Sequence, residues 1–344
     1  MLIHRYRQGR YITLFTFGCF LFELLLVIYL YIMIKTAEFV SPGHPDKLCD
    51  FIADSILDKY LIHDPKARVA LEVMGGHKLI TLNGEISSTY EPDFQRIVEN
   101  IVGKEYKIII NLSKQSVEIA RGVDGGGAGD QGIMKGYATD ETENAMPLEY
   151  ELARNLCMKV YEKYPYDGKT QVTIVDNKIK TVVCSFQNAK NVDLLPLVKS
   201  IIIADEYLIN PAGEWTVGGF DADTGLSGRK LVVDNYGPEI PIGGGSFSGK
   251  DFTKVDRSGA YMARKIAVDY LKKYNAHTVY TKIAYAIGLS NPVMAIAVVD
   301  GKEIEITDYD LSPQGINTAL LLNTIEYTKT CTWGHFGHGF PWDK

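Results

Sequence analysis

The chain has 344 residues, 46% hydrophobic and 23% charged, with a net charge of −6. This length and balance describe a globular protein with enough chain for two or three cores, and the acidic total gives a nucleic-acid partner no electrostatic support. The five cysteines (Cys19, Cys49, Cys157, Cys184, Cys331) form no C-x-x-C pair and no zinc spacing, so they read as buried, reduced thiols of a cytosolic protein.

In chain order, Tyr11–Ile34 is apolar except for Glu23 and follows Arg5, Arg7 and Arg10. It is long enough to span a bilayer, and the positive-inside rule would then send the rest of the chain across. No small-residue cleavage site follows it, against a signal peptide. The reading adopted is that residues 1–32 are an upstream extension and that Met33 opens the folded chain. Helical periodicity predicts a helix over Asp46–Leu61 with Pro45 in its first turn. Ala67–Val73 and His77–Asn83 read as a hairpin around Gly75-Gly76, Phe94–Lys104 as a helix and Lys107–Asn111 as a strand. After the glycine-rich Gly122–Gly132, Leu148–Tyr164 reads as a helix. Gln171–Val175 and Lys178–Phe186 read as a hairpin turned by Asp176-Asn177. Asp193–Ile203 reads as a helix, Leu231–Asp234 as a strand and Asp256–Tyr274 as the longest helix. Tyr280–Gly288 and Val293–Val299 pair as strands, Asp300-Gly301 starts a further hairpin turn, and a last helix runs near Gln314–Asn323. Hairpin and helix thus alternate about three times without a residue-level repeat. The fold class is α+β: three similar subdomains in a pseudo-three-fold arrangement, with mostly antiparallel sheets and helices on one face.

The chemistry gathers in loops. Gly243–Arg257 (GGGSFSGKDFTKVDR) combines free backbone amides, two lysines, an arginine and two aspartates, which is what a polyphosphate with Mg²⁺ needs. Gly244–Lys250 fits a P-loop until Asp251 takes the place of the hydroxyl residue. Gly127–Gly132 fits G-x-G-x-x-G but follows no convincing strand. Gly43-His44-Pro45-Asp46-Lys47 opens the first helix, where free amides and the dipole favour an anion, and Asp46 is suited to a metal that the anion also binds. Asp124, Asp130 and Gln131 lie in the second glycine-rich stretch, and Asp223–Lys230 adds Arg229 and Lys230 after a third. Singly, each is ordinary turn chemistry; together they point to a nucleotide site. That site also weighs against export of the domain, since nucleotide is scarce outside the cell.

These blocks resemble the S-adenosylmethionine synthetases: GHPDK at 43–47, GAGDQG at 127–132 and GGG-x-F-SGKD-x-x-KVDR at 243–257, with matches in order from Thr36 to Lys344. The resemblance implies synthesis of S-adenosylmethionine from ATP and L-methionine by sulfur attack on C5′, with triphosphate leaving and then hydrolysed. It implies that His44, Lys169, Arg229, Lys230, Lys250 and Lys254 surround the phosphates, with Asp167 beside Lys169. Asp130 would bind the ribose, Glu38 would lie near the adenine, and Trp215 would stack on it where the family usually has Phe. Glu85, Gln115, Asp223 and Lys254 would hold methionine. Asp46 and Asp256 would serve two Mg²⁺ ions per site, and Glu72 the family's K⁺ site. It further implies a cytoplasmic homodimer with shared sites, Glu72, Glu85 and Gln115 facing the other chain's phosphates, often paired into a tetramer. The domain division expected is 33–119, 120–217 and 218–344 after the extension. Three departures stand out: a shortened lid over Gln115–Gly132, Pro42 before GHPDK, and Lys135 after GAGDQG. Two other readings remain at this stage, a non-catalytic nucleotide-binding paralogue and a membrane-tethered protein.

Overall fold

The computed structural model describes residues 33–116, 122, 123 and 125–344. The apolar segment 1–32 and Asp124 lie outside the described residues. Three four-stranded sheets are each covered by one long helix. The first has order β4-β3-β2-β9, from β2 (Arg68–Gly76), β3 (Leu79–Ser87), β4 (Lys107–Ser113) and β9 (Gly225–Leu226), with α1 (Pro45–His63) packed on it. The second has order β8-β7-β6-β1, from β1 (Ile34–Val40), β6 (Gly168–Val175), β7 (Lys178–Phe186) and β8 (Glu206–Ile209), under α3 (Leu148–Lys163). The third has order β12-β11-β10-β5, from β5 (Gly132–Thr139), β10 (Thr278–Tyr285), β11 (Met294–Val299) and β12 (Lys302–Glu305), under α6 (Val255–Tyr274).

The sheets interlock in a cycle. Each edge strand preceding a long helix pairs into a different helix's sheet: β1 joins the second, β5 the third and β9 the first. The α+β class, with three similar units, is therefore what the structure displays. In the first two units a helix links the third strand to the fourth: α2 (Phe94–Val102) and α4 (Asn191–Ile201). β3–β4 and β7–β8 are parallel, a pairing that needs a long crossover connection such as these helices supply. In the third unit the two-residue turn Asp300-Gly301 makes β11–β12 antiparallel.

Alternation fixes the core. Val69, Leu71, Val73, Ile80 and Leu82 point from the first sheet toward Cys49, Ile52, Ala53 and Ile56 of α1, all buried. The C-terminal tail closes the third unit: buried Trp342 stacks on Tyr261 with ring centres 3.8 Å apart, and Asp343 pairs with Arg264 at 2.9 Å.

The structure corrects two expectations. The first hairpin turns at His77-Lys78, both at positive φ, while Gly75 and Gly76 remain in β2, where Phe220 and Thr224 press against them. Leu231–Asp234 forms α5, a short helix rather than a strand. Its β-branched composition is overridden by amides of Asp234 and Asn235 that return to the carbonyls of Lys230 and Leu231.

Candidate active site

The N-terminus of α1 is the meeting point of three segments. His44 caps the helix, its Nδ1 accepting the Asp46 amide at 3.1 Å. This leaves Nε2 to carry the imidazole proton. Asp46 does not serve its own helix: Oδ1 accepts the Leu226 amide at 2.9 Å, and Oδ2 accepts Lys230 Nζ at 2.5 Å. Arg229 Nε stands 3.1 Å from Oδ1. Gly225 lets β9 come this close, since a β-carbon there would lie 2.2 Å from the Pro45 carbonyl oxygen.

Burial and charge set the protonation of this group. Burial, with Lys230 and Lys169 nearby, lowers the His44 pKa to about 3, so the imidazole is neutral. Burial would raise the Asp46 carboxyl, but Lys230 and the Leu226 amide outweigh it and hold it below the usual range. Asp167 is raised by burial, against the Gly219 amide it accepts at 3.0 Å and the charge of Lys169. Lys169, exposed at the start of β6, faces Val40 of β1 across the strand register. Glu38 lies exposed on β1 opposite Gln171. Asp223 is exposed on the loop before β9 and acts electrostatically on His44. Trp215 is half-buried, its Nε1 donating to Ser185 Oγ at 3.1 Å, with Asn210 Oδ1 at 3.3 Å.

The remaining predicted residues form a second group. Lys250 Nζ donates to Asp256 Oδ2 at 2.8 Å, and Lys254 Nζ to Asp251 Oδ2 at 2.6 Å. Asp130 and Asp256 line a cavity of about 320 Å³ with Gly243–Gly245, Phe247 and Lys135. Lys250, Ala70, Glu85 and Ser113 sit in one row across the first sheet, and Gln115 follows just beyond β4, its Oε1 buried without a partner among the described residues. Glu72 on β2 accepts hydrogen bonds from Ser227 Oγ and, at 3.3 Å, from Ser246 Oγ.

One strand edge spaces the two groups. Gly75 pairs with Gly225 in the first group, and Ala70 with Lys250 in the second. Five residues of strand separate them, about 17 Å at 3.4 Å per residue. The structure thus brings His44, Asp46, Asp167, Lys169, Arg229 and Lys230 together, and places Lys250, Lys254, Asp256, Glu85 and Asp130 elsewhere on the chain.

Metal donors stand singly or in oxygen-rich company. Among the described residues no three His, Cys, Asp or Glu converge. Asp46 and Asp256, each paired with lysine in this structure, are carboxylates of the kind Mg²⁺ uses, since it binds through one or two carboxylates and completes its shell with water and phosphate oxygens. Glu72 with the hydroxyls of Ser227 and Ser246 offers oxygens from three segments, a donor set suited to a hard cation.

The sequence reading missed the acids further along α1. Asp50, Asp54 and Asp58 follow Asp46 at intervals of four, and Asp50 and Asp54 are fully buried. Their spacing on a predicted helix was the available signal, because i, i+4 residues share a face.

Comparison with known proteins agrees along the described chain. Models of the S-adenosylmethionine synthetase N-terminal, central and C-terminal domains match residues 32–124, 125–215 and 217–344. The S-adenosylmethionine synthase of Deinococcus deserti is 38% identical over 385 residues, covering 90% of this chain and 96% of the relative. That of Mycoplasmopsis pulmonis is 39% identical over 358 residues, with 90% and 95% covered. A solved structure described as an unusual S-adenosylmethionine synthetase from Campylobacter jejuni superposes with a TM-score of 0.81 at 31% identity, covering 90% of this chain and 96% of that one.

Proposed function

The chain belongs to the S-adenosylmethionine synthetase family and is a methionine adenosyltransferase, forming S-adenosylmethionine from ATP and methionine; from that premise we propose which residues carry the reaction and how. The thioether sulfur attacks C5′ of ATP. A sulfur–carbon bond forms, the C5′–oxygen bond breaks, and triphosphate leaves with the electron pair. A thioether has no proton to lose, so no general base is required. Rate comes from alignment and from stabilising charge on the leaving group. The triphosphate is then hydrolysed to pyrophosphate and phosphate.

His44 donates to a phosphate oxygen through Nε2, and Lys169, Arg229 and Lys230 supply positive charge around it. Trp215 stacks on adenine, with Glu38 near its edge and Asp167 beside Lys169. From the second group, Lys250 and Lys254 reach the phosphates, Asp130 the ribose, and Glu85 and Gln115, with Asp223 from the first group, the methionine ends. Asp46 and Asp256 would hold two Mg²⁺ ions, which neutralise polyphosphate charge when bound, and Glu72 would hold K⁺. The observation that carries this reading is the convergence of His44, Asp46, Arg229 and Lys230 at one helix N-terminus, with Lys169 close enough to act on His44.

The separation of the two groups supports a homodimer whose sites each draw the first group from one chain and the second from the other. The outer face of the first sheet, where Glu72 and Glu85 lie, also exposes Met74, Ile109 and Leu226, apolar surface for such a contact; pairing of dimers into tetramers follows the family resemblance. The domains are read as 33–119, 120–217 and 218–344, and the location as cytoplasmic. No helix among the described residues is long and apolar enough to cross a membrane.

The test is product formation by the full chain from ATP and L-methionine with Mg²⁺, with and without K⁺. S-adenosylmethionine is expected, with tripolyphosphate as inhibitor. Wild-type rates in both Lys169→Met and Asp46→Asn would refute the assigned roles.

A further inference from the structure

Helix α1 carries Asp46, Asp50, Asp54 and Asp58 on one face, and each carboxylate accepts one or two backbone amides from a segment distant in sequence. Asp46 takes Leu226, Asp50 takes Gly228 at 2.9 Å, Asp54 takes Gly249 at 2.9 Å, and Asp58 takes Tyr327 and Thr328. The two middle contacts repeat one pattern. Gly228 has φ +72° and directly precedes Arg229-Lys230; Gly249 has φ +79° and directly precedes Lys250. Each is a left-handed position that an L side chain rarely adopts. Each is also crowded, a β-carbon lying 2.4 Å from Ser246 Cβ at Gly228 and 2.1 Å from the Leu71 oxygen at Gly249.

The grip is thorough at both places. Three successive amides, of Leu226, Ser227 and Gly228, meet Asp46, the Val73 carbonyl and Asp50. Lys47 Nζ balances the Asp50 charge at 3.0 Å. Asp54 also binds Arg257 in a bidentate pair at 2.7 and 2.8 Å, and Arg257 donates to the Lys250 carbonyl at 3.2 Å. Asp54 therefore holds both ends of the Gly249-Lys250 unit, one directly and one through Arg257.

We infer that Asp50 and Asp54 are positioning residues for catalysis: from one helix they fix the backbone of Gly228 and Gly249, and so aim Arg229, Lys230 and Lys250 at the polyphosphate before it binds. The inference rests on the reading of those three cations as polyphosphate groups. Buried carboxylates accepting amides in this way preorganise charge, so no reorganisation is left to the reaction step.

Asp58 is the internal control, on the same helix with the same kind of contact, but to a segment that carries none of the three cations. Asp50→Asn and Asp58→Asn are compared by melting temperature, steady-state kinetics and inhibition by inorganic tripolyphosphate. Asp50→Asn should lower kcat by about 100-fold, the scale of a small misplacement. It should weaken tripolyphosphate inhibition and leave KM for methionine nearly unchanged, and Asp50→Glu should recover little. Asp58→Asn should lower the melting temperature and leave kcat nearly unchanged. Equal kcat in Asp50→Asn and wild type, or equal losses in both variants, overturns the inference. A second measurement on the wild type stands even where a variant does not fold. The amides of Gly228 and Gly249 should resist hydrogen exchange as well as β2 does without ligand, and change little on adding tripolyphosphate. Amides that exchange freely until tripolyphosphate binds overturn the inference. Failure of the underlying reading looks different: protected glycine amides in a protein that neither turns over nor binds tripolyphosphate.

Discussion

At the α1 N-terminus, Asp46 is fully buried between Lys230 and Arg229, whereas the cavity beside Gly243–Gly245 keeps Lys250 and Asp256 partly open. The first group is a packed ion cluster whose geometry is set before substrate arrives. The second is a glycine-walled recess whose side chains are also paired, Lys250 with Asp256 and Lys254 with Asp251, but beside open space. The difference teaches that both halves of a polyphosphate site can hold their cations by pairing them with carboxylates, one inside a packed joint and the other beside an open recess. Removing charge should therefore hurt in both groups, and added bulk should be tolerated where the recess wall is open, at Gly244.

The largest effect is expected where the first group loses charge. Asp46→Asn and Lys169→Met should each lower the rate of S-adenosylmethionine formation by about 10²–10³-fold, the scale of losing one preorganised electrostatic partner. Steady-state assay checks this, and wild-type turnover in both removes the contrast. Bulk separates the two regions next. Gly225→Ala pushes a β-carbon into the Pro45 carbonyl and should cost about 1–3 kcal/mol in urea unfolding. Gly244→Ala meets nothing within 4 Å and should stay within about 0.5 kcal/mol. Equal costs would erase the distinction between packed and open halves. Trp215→Ala should raise KM for ATP by about tenfold while sparing KM for methionine, as loss of a stacking face predicts; a matching rise in both would remove its adenine role.

The last expectation concerns stability rather than turnover, as a pH dependence in His44. Its folded pKa of about 3 lies below the ordinary 6.5, so on acidification the unfolded chain takes up the proton first. The stability it contributes is present above pH 6.5 and falls as pH drops toward 3, by up to about 1.4 kcal/mol per pH unit. The unfolding free energy of wild type minus that of His44→Asn should fall over this window. A flat difference would mean that His44 titrates in the fold as it does in the unfolded chain.

Much of the molecule was legible because its turns are chemically explicit. Asp176-Asn177 and Asp300-Gly301 both sit at positive φ and turn their hairpins where the sequence placed them. His77-Lys78 does the same work without a composition that announces it, while neighbouring Gly75 pointed to a turn and is used for close packing against Phe220. Strand β5 was hidden by two glycines, and β9 by its two-residue length; both are defined by long-range pairing that local pattern does not contain. At the site, residue types and loop spacing singled out His44, Asp46, Arg229, Lys230, Lys250, Lys254 and Asp256, whereas Lys169, Asp167, Glu38, Glu72 and Glu85 came only with the family resemblance. The division into two groups follows from β2 pairing with 225–226 at one end and 249–251 at the other, a fact of register that no motif encodes.

That division is tested most directly by complementation between two inactive chains. Asp46→Asn disables the first group and Asp256→Asn the second. When the two are unfolded together and refolded, half of the dimers are mixed, and each mixed dimer holds one intact site. Activity should return to about a quarter of wild type, as two-fold symmetry requires. Mixed dimers that form, as seen by mass spectrometry, yet remain inactive would contradict a site shared between chains.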